Sequence, residues 1–205
     1  MKLAPSRELF AYWNSLRGAR RAPERAEIDP IAISGLLADT FILEIDPRAG
    51  YPFRVAGDRT GSLFQCELRG RPFLDIWQVS ARNEIVEMLK TVTDEASPVV
   101  AGVAAQTVGF HPLELELLVL PLRHRGATHS RVLGLCSPAS SPTWLGLAPV
   151  GPMALHSMRV LRQGDDRVGP AAARAGAAVP SQLESLARLM RRGQLHFFSS
   201  ADPRP

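Results

Sequence analysis

The chain has 205 residues, of which 45% are hydrophobic and 21% are charged, and its formal net charge is +4. This composition is typical of a globular domain with extensions. No apolar run reaches the roughly 20 residues of a membrane-spanning helix, and the N-terminus lacks the apolar core of a signal peptide, so we expect a cytoplasmic protein.

The basic residues are concentrated towards the two ends of the chain. Residues 1–27 and 123–205 are net positive, whereas residues 28–122 are net negative. A nucleic-acid-binding fold usually gathers its basic residues on the folded recognition surface. The distribution therefore argues against a nucleic-acid partner, although a regulator that binds nucleic acid through its basic flanks is an alternative.

The first predicted element is an N-terminal helix that Ser6 caps and Gly18 ends. Its apolar residues recur at helical spacing and form one stripe, consisting of Leu9, Tyr12, Trp13 and Leu16. A basic loop follows, and its arginines are candidate contacts for an acidic partner or a phosphate: Arg17, Arg20, Arg21 and Arg25. Asp29 and Pro30 then predict the start of a short helix.

Two strands and a series of short helices come next. The segment Phe41 to Asp46 is rich in β-formers, and a four-residue turn separates it from a partner strand that begins near Phe53, which predicts an antiparallel hairpin. The segment 57–77 is interrupted by glycines and contains two or three short helices. Ser80 is expected to cap a longer helix of about fifteen residues, which ends before Pro98.

Three β-like runs follow, at about residues 99–110, 113–122 and 130–136, and short links join them into an antiparallel meander. The predicted fold is α+β, with one five-stranded antiparallel sheet, short helices on one face and a flanking N-terminal helix. Glu114 and Glu116 are predicted to face solvent, because they alternate with leucines along the second run.

The chain divides into four predicted parts. Residues 1–27 form the N-terminal helix and basic loop, and residues 28–140 form the folded domain. Residues 141–180 are a loop and linker rich in Pro, Gly and Ala, in which residues 153–162 could be either a strand or a short helix. Residues 181–205 are a basic tail, whose short amphipathic helix opens with a capping box at Ser181 and Glu184.

The order of these elements resembles the PAS domain, and most closely the PAS_5 family, formerly DUF1457, of proteobacterial single-domain PAS-like proteins. Four segments carry the resemblance: YWNSLRGARRAPERAEIDP at 12–30, FRVAG at 53–57, ELRGRPF at 67–73, and LPLRHRG with RVLG between 120 and 134. Together they extend over about two thirds of the chain. The Trp-x-x-Leu-Arg-Gly and Ile-Asp-Pro motifs are the specific ones.

The resemblance implies a curved sheet with a wall of short helices across it, and a space between them that holds either a ligand or packed side chains. The candidate pocket residues are Phe53, Val55, Phe64, Phe73, Trp77, Leu89 and Leu117. It also implies a homodimer through the N-terminal helix, with Leu9, Tyr12, Trp13 and Leu16 as candidate contacts, and a signalling protein as partner.

The sequence argues against two cofactors of this superfamily and leaves the cofactor unknown. Flavin photoreceptor domains carry an Asn-Cys pair just after a Gly-Arg, whereas here Pro72 and Phe73 follow Gly70 and Arg71. Haem-binding members use a histidine on the long helix, and residues 80–95 contain none. No metal site is predicted, because no two of the five histidines stand four residues apart on a helix.

No catalytic motif is present: G-x-S-x-G, the P-loop and G-x-G-x-x-G are all missing from the sequence. We therefore expect a non-catalytic sensory or adaptor protein of bacterial signalling, which binds a small molecule, a protein partner or both. An enzyme with an unrecognised site in the pocket is the second alternative, since fold alone does not determine function.

Overall fold

A computed structural model describes residues 1–107, 109–124 and 127–162, without the side chains of 127–129. The helices are α1 (Ala4–Arg17), α2 (Asp58–Phe64) and α3 (Arg82–Asp94), with short 3-10 helices at Arg25–Glu27, Ser34–Asp39, Phe73–Ile76 and Val79–Ala81. The strands are β1 (Thr40–Glu44), β2 (Phe53–Ala56), β3 (Val99–Thr107), β4 (Leu113–His124), β5 (Ala127–Pro138) and β6 (Val150–Val160). The part of the predicted linker from residue 163 to 180 and the predicted tail helix lie outside the described residues.

The strands form one antiparallel sheet in the order β2-β1-β5-β4-β3-β6. The α+β class, the β1–β2 hairpin and the β3–β4–β5 meander are confirmed. The prediction of five strands was one too few, because β6 adds to the edge of β3 and carries the sheet beyond residue 140. Two bulges in β6, at His156 and at Gly151–Pro152, break its alternation and hide the strand in the sequence.

One face of the sheet, here called the inner face, is covered by the helical wall, which consists of α2, α3 and the 3-10 helices Phe73–Ile76 and Val79–Ala81. The apolar positions of α3 recur at three- and four-residue spacing and are all buried: Ile85, Met88, Leu89 and Val92. The helix begins at Arg82, one residue later than predicted, with Ala81 as its N-cap, since Ser80 belongs to a 3-10 turn before it. In the described part of the chain, no helix has the length and hydropathy needed to cross a membrane.

The opposite, outer face of the sheet is covered by α1 and the segment that follows it. Leu9 and Trp13 of α1 are buried there, and the Trp13 indole N–H donates to the Pro121 carbonyl of β4 at 2.9 Å. Because β4 is covered on both faces, its sequence is almost continuously apolar from Leu117 to Leu122.

The start of α1 differs from the prediction. The helix begins at Ala4, with Leu3 as its N-cap, and Ser6 is a buried residue inside the first turn. The backbone N–H groups of Lys2 and Leu3 donate to the carboxylate of Glu116 at 2.6 and 3.1 Å. The prediction that Glu116 faces solvent was therefore wrong: its side chain anchors the approach to the helix, where a negative charge is also favoured by the helix dipole.

The helix predicted to start at Asp29 and Pro30 is instead a turn followed by the 3-10 helix Ser34–Asp39. The Asp29 carboxylate does accept the backbone N–H of Ile31 at 3.0 Å, as a capping residue would. The capping contact predicted at Asp29 is thus present, but the backbone that follows forms the tighter turns of a 3-10 helix and not an α-helix before β1 begins at Thr40.

Candidate functional site

The space between the helical wall and the inner face is occupied by aromatic side chains. Phe53, Phe73, Trp77, Leu89 and Leu117, all predicted as pocket residues, are buried in one cluster. The Phe53 and Phe73 ring centroids lie 5.6 Å apart, and those of Phe73 and Trp77 lie 5.7 Å apart, both edge to face. The structure therefore brings five of the seven candidates together in a hydrophobic core.

The other two candidates lie elsewhere. Phe64, at the end of α2, is only partly buried against this cluster. Val55 packs against the hydrophobic residues that lie on the outer face of the sheet, opposite the other candidates. The reason is a bulge at Arg54 in β2, since Leu43 pairs with Phe53 whereas Ile42 pairs with Val55. Regular alternation would place Phe53 and Val55 on the same face, and the extra residue moves Val55 to the other one.

Phe41 is a central member of this site that the sequence analysis missed. Its ring lies 5.5 Å from Phe53 and 5.6 Å from Phe73, and it covers Gly134, where a Cβ would overlap the ring. The available signal was a glycine inside a β-like run, which often marks the close approach of another group. Phe41 and Gly134 are paired residues on β1 and β5.

Strand β6 joins the sheet to the helical wall. The backbone N–H of Gln78 donates to the Met153 carbonyl at 2.9 Å, and Met153 is buried in the inner cluster. The neighbouring Trp77 indole nitrogen is buried and has no hydrogen-bond partner among the described residues. It is a polar donor in an otherwise apolar layer, and an unmade bond of this kind costs about 1–3 kcal/mol.

The basic loop is held mainly by its own contacts. Arg20 donates to both carboxylate oxygens of Glu27, at 2.8 and 2.9 Å, and to the Leu16 carbonyl at 2.6 Å. The hydrogen bond from Arg20 lowers the pKa of the Glu27 carboxyl. Arg20 therefore closes the loop between α1 and the following 3-10 helix.

The other three arginines differ in their surroundings. Arg17 lies over the Trp13 ring at 5.5 Å and donates to Asn14 Oδ1 at 2.8 Å. Arg21 is exposed to solvent, whereas Arg25 is half-buried. Burial, and then the positive charge of Arg131, lower the pKa of Arg25. The cluster is thus not one uniform basic surface.

The comparison with known families gives a match over most of the described residues. The model of the PAS domain family, PAS_5, matches residues 1–137. The chain belongs to this PAS family. No curated protein matches the chain. Membership suggests a role in sensing or signalling in general.

The predicted dimer contacts of this PAS domain have mixed exposure. Leu9 and Trp13 are buried against the chain's own sheet, and Tyr12 is tied to the next segment, because its hydroxyl accepts the Asp29 N–H at 2.8 Å. Leu16 is partly exposed. A dimer through this stripe stays a prediction, and it would require α1 to leave the outer face of its own sheet.

Among the described residues of this PAS domain, no three His, Cys, Asp or Glu side chains gather in a way that could hold a metal ion. Cys66 and Cys136 are both free. Burial raises the pKa of the Cys136 thiol to about 12, so this sulfur is protonated and weakly nucleophilic at neutral pH.

Proposed function

We propose that the chain is a non-catalytic PAS-like sensory or adaptor protein of bacterial signalling, which works in the cytoplasm by binding. The observation that carries the proposal is the chemistry of the inner layer, that is, the cluster of buried side chains between the helical wall and the inner face. The predicted pocket residues that meet there are Phe, Trp and Leu side chains, and the cluster around them is hydrophobic. Such a layer can hold an apolar ligand or transmit a packing change.

Two separate observations bear on the alternatives. An enzyme would need convergent polar groups, and the buried acids among the described residues, Asp39 and Glu116, are engaged with Arg59 and with the backbone N–H groups of Lys2 and Leu3. A regulator of nucleic acid would use the basic flanks, of which Arg20 and Arg17 of the N-terminal loop are engaged within the chain, whereas residues 163–205 lie outside the described residues. Neither alternative gains support from the contacts of these residues.

Native mass spectrometry of the purified full chain, with an absorbance scan of the same sample, tests the proposal. A sensory protein is expected to carry a small molecule that accepts the Trp77 N–H. The molecule should then be lost from the variant Trp77→Phe, which keeps an aromatic ring and removes the donor. Trp144→Phe is the matched control, because Trp144 packs at the edge of the cluster and stacks on Phe110.

A bare chain would support the adaptor form of the proposal, in which the inner layer is simply packed. That form then requires a protein partner, recovered by cross-linking in the cells that make the chain. Conversion of a co-purified molecule to a product would contradict the proposal in favour of an enzyme. Retention of nucleic acid that weakens steeply with added salt would favour the regulator instead.

A further inference from the structure

A pocket lies where two connections of the sheet meet, at the edge of the inner layer. One wall is the β3–β4 connection with the start of β4, residues 109–113, and the other is the segment after β5, which contributes Ser140, Pro142 and Trp144. The volume of this loop pocket is about 500 Å³, within the roughly 300–1,000 Å³ of small-molecule sites. The loop pocket is therefore large enough for an organic ligand.

An aromatic pair joins the two walls of the loop pocket. The rings of Phe110 and Trp144 are stacked, with centroids 5.1 Å apart and planes 23° from parallel. Trp144 packs against the inner cluster, whereas Phe110 remains 49% exposed. The Phe110 ring is thus supported by Trp144 and still offers apolar surface on which a further ring can stack.

The lining of the loop pocket contains polar groups that are not acids, lysines or arginines. Among the described residues, none of those that line it is Asp, Glu, Lys or Arg. His111 and Ser140 are exposed there, and each can donate and accept a hydrogen bond. A charged ligand would lose part of its hydration without meeting an opposite charge in this lining. The chemistry therefore favours an uncharged ligand with hydrogen-bonding atoms at its edge.

The loop pocket is in contact with the inner layer. Leu113 is buried in the inner cluster, and Trp144 is partly buried against it. The segment that contains Trp144 also contacts the chain just after α2, since the Gln65 side-chain amide donates to the Gly146 carbonyl at 3.3 Å. A ligand in the loop pocket would thus touch side chains that pack on the inner layer.

We propose that the loop pocket binds an uncharged, planar aromatic molecule of one or two fused rings. The ring would lie on Phe110, and polar atoms at its edge would form hydrogen bonds with His111 and Ser140. The binding site rests on this geometry alone and goes beyond the proposed function; that its ligand acts as a signal rests on the proposed sensory role.

Nuclear magnetic resonance of the full chain, labelled with ¹⁵N at tryptophan, provides the first test, with 2-quinolone as the probe. This probe is uncharged and planar, and its fused rings carry an N–H and a carbonyl. The indole N–H signals of Trp13, Trp77 and Trp144 are assigned from single Trp→Phe variants. The probe should shift the signal of Trp144 and leave that of Trp13, on the outer face, in place. No shift of Trp144 at millimolar 2-quinolone, or a larger shift of Trp77, would overturn the proposal.

Substitutions at Phe110 test the stacking platform. Phe110→Ala should weaken the binding of 2-quinolone by roughly fivefold to 150-fold, the usual effect of removing an aromatic side chain on which a base-like ring stacks. Phe110→Tyr keeps the ring and should retain the affinity. Leu147→Ala is the matched control, because Leu147 is 78% exposed on the same β5–β6 connection but does not line the pocket.

Two further probes test the chemistry of the ligand. Decahydroquinolin-2-one has the same amide on saturated rings that are not planar, and it should bind about twofold to tenfold more weakly, because it cannot stack. The 4-carboxylate of 2-quinolone adds a negative charge and should also bind more weakly than 2-quinolone. Equal binding of the saturated probe, or tighter binding of the carboxylate, would contradict the proposed ligand class.

The variants and probes separate the outcomes. Equal affinities of wild type and Phe110→Ala for 2-quinolone, with both chains folded by circular dichroism, would place the ligand elsewhere and overturn the proposal. None of these results depends on a molecule that co-purifies with the chain, so the proposed sensory or adaptor function is tested separately by its own mass spectrometry.

Discussion

Gly57 is a position at which two segments of main chain lie in direct contact, so that no side chain fits there. Gly57, between β2 and α2, donates its N–H to the Thr40 carbonyl at 2.8 Å. A Cβ at this position would overlap the carbonyl oxygens of Leu37 and Ala38. Because these are main-chain atoms of the 3-10 helix Ser34–Asp39, they cannot move aside as a flexible side chain would.

Gly57→Ala is therefore expected to lower the free energy of unfolding by about 1–3 kcal/mol, the usual cost of forcing extra atoms into a packed site. Urea denaturation followed by circular dichroism measures the effect. Gly35→Ala is the control, since a Cβ there meets nothing within 4 Å. Equal midpoints for the two variants would contradict the close approach at Gly57.

Asp39 is a buried carboxyl whose titration should make stability depend on pH. Burial raises its pKa above the ordinary value, while the ion pair with Arg59, at 2.6 Å, opposes the rise. The folded state then keeps a proton that the unfolded state has already lost. The contribution of Asp39 to stability is therefore present below the unfolded pKa of about 3.9 and is lost as the pH rises through the folded value.

The measurement is the difference in unfolding free energy between wild type and Asp39→Asn from pH 3 to pH 7. This difference should fall as the pH rises, because only the wild type titrates at this position. Arg59→Gln, which removes the opposing charge, should make the fall steeper. A difference that rises with pH would show that the Arg59 pair outweighs burial.

At the scale of elements, α1 depends on one carboxylate from the sheet. Glu116→Ala would leave the backbone N–H groups of Lys2 and Leu3 without their acceptor. We expect a loss of about 1–2 kcal/mol in unfolding free energy, similar to the removal of a helix cap. Faster hydrogen exchange of the Leu3 amide should accompany it.

Glu114→Ala is the matched control for Glu116→Ala. Glu114 lies two residues away on the same strand, its side chain is 61% exposed, and its partner His156 is 4.0 Å distant. A substitution of this kind usually changes stability by less than about 0.5 kcal/mol. Similar losses for the two variants would mean that Glu116 does not anchor the helix.

The elements also show what the sequence could and could not predict. The β1–β2 hairpin, the long helix and the β3–β4–β5 meander follow from periodicity and turns, because they alternate or repeat regularly. The positions of Val55, Glu116 and β6 do not follow, for three physical reasons. A bulge at Arg54 moves Val55 to the outer face of the sheet. The burial of Glu116 depends on the N-terminal segment, which is more than 100 residues away in sequence. Bulges interrupt the alternation of β6.

The candidate site follows the same division. Phe53, Phe73 and Trp77 could be predicted as neighbours because a resemblance supplied their arrangement, and they share the inner cluster. The place of Phe41 in this cluster could not be predicted, because it depends on the pairing of Phe41 with Gly134 in β5, a strand far along the chain.

At the scale of the whole molecule, β6 completes the core. It contributes the buried residues Val150 and Met153, covers the edge of β3, and bonds to the helical wall through Gln78. Without it, β3 would expose the backbone edge of Val99–Thr107, a run of nine residues that is largely apolar. Such an edge invites pairing between chains. Strand β6 itself carries bulges and Pro152, which protect an outer edge.

A chain of residues 1–140, ending at the predicted domain boundary, should therefore differ from a chain of residues 1–162. Loss of the buried Met153 and Val150 side chains costs a few kcal/mol, which corresponds to a Tm lower by roughly 10 °C for a domain of this size. The shorter chain should also associate in size-exclusion chromatography, whereas the longer chain, which retains β6, should not aggregate. If both chains show the same Tm and elution volume, the core is complete without β6, and the family-matched segment 1–137 folds by itself.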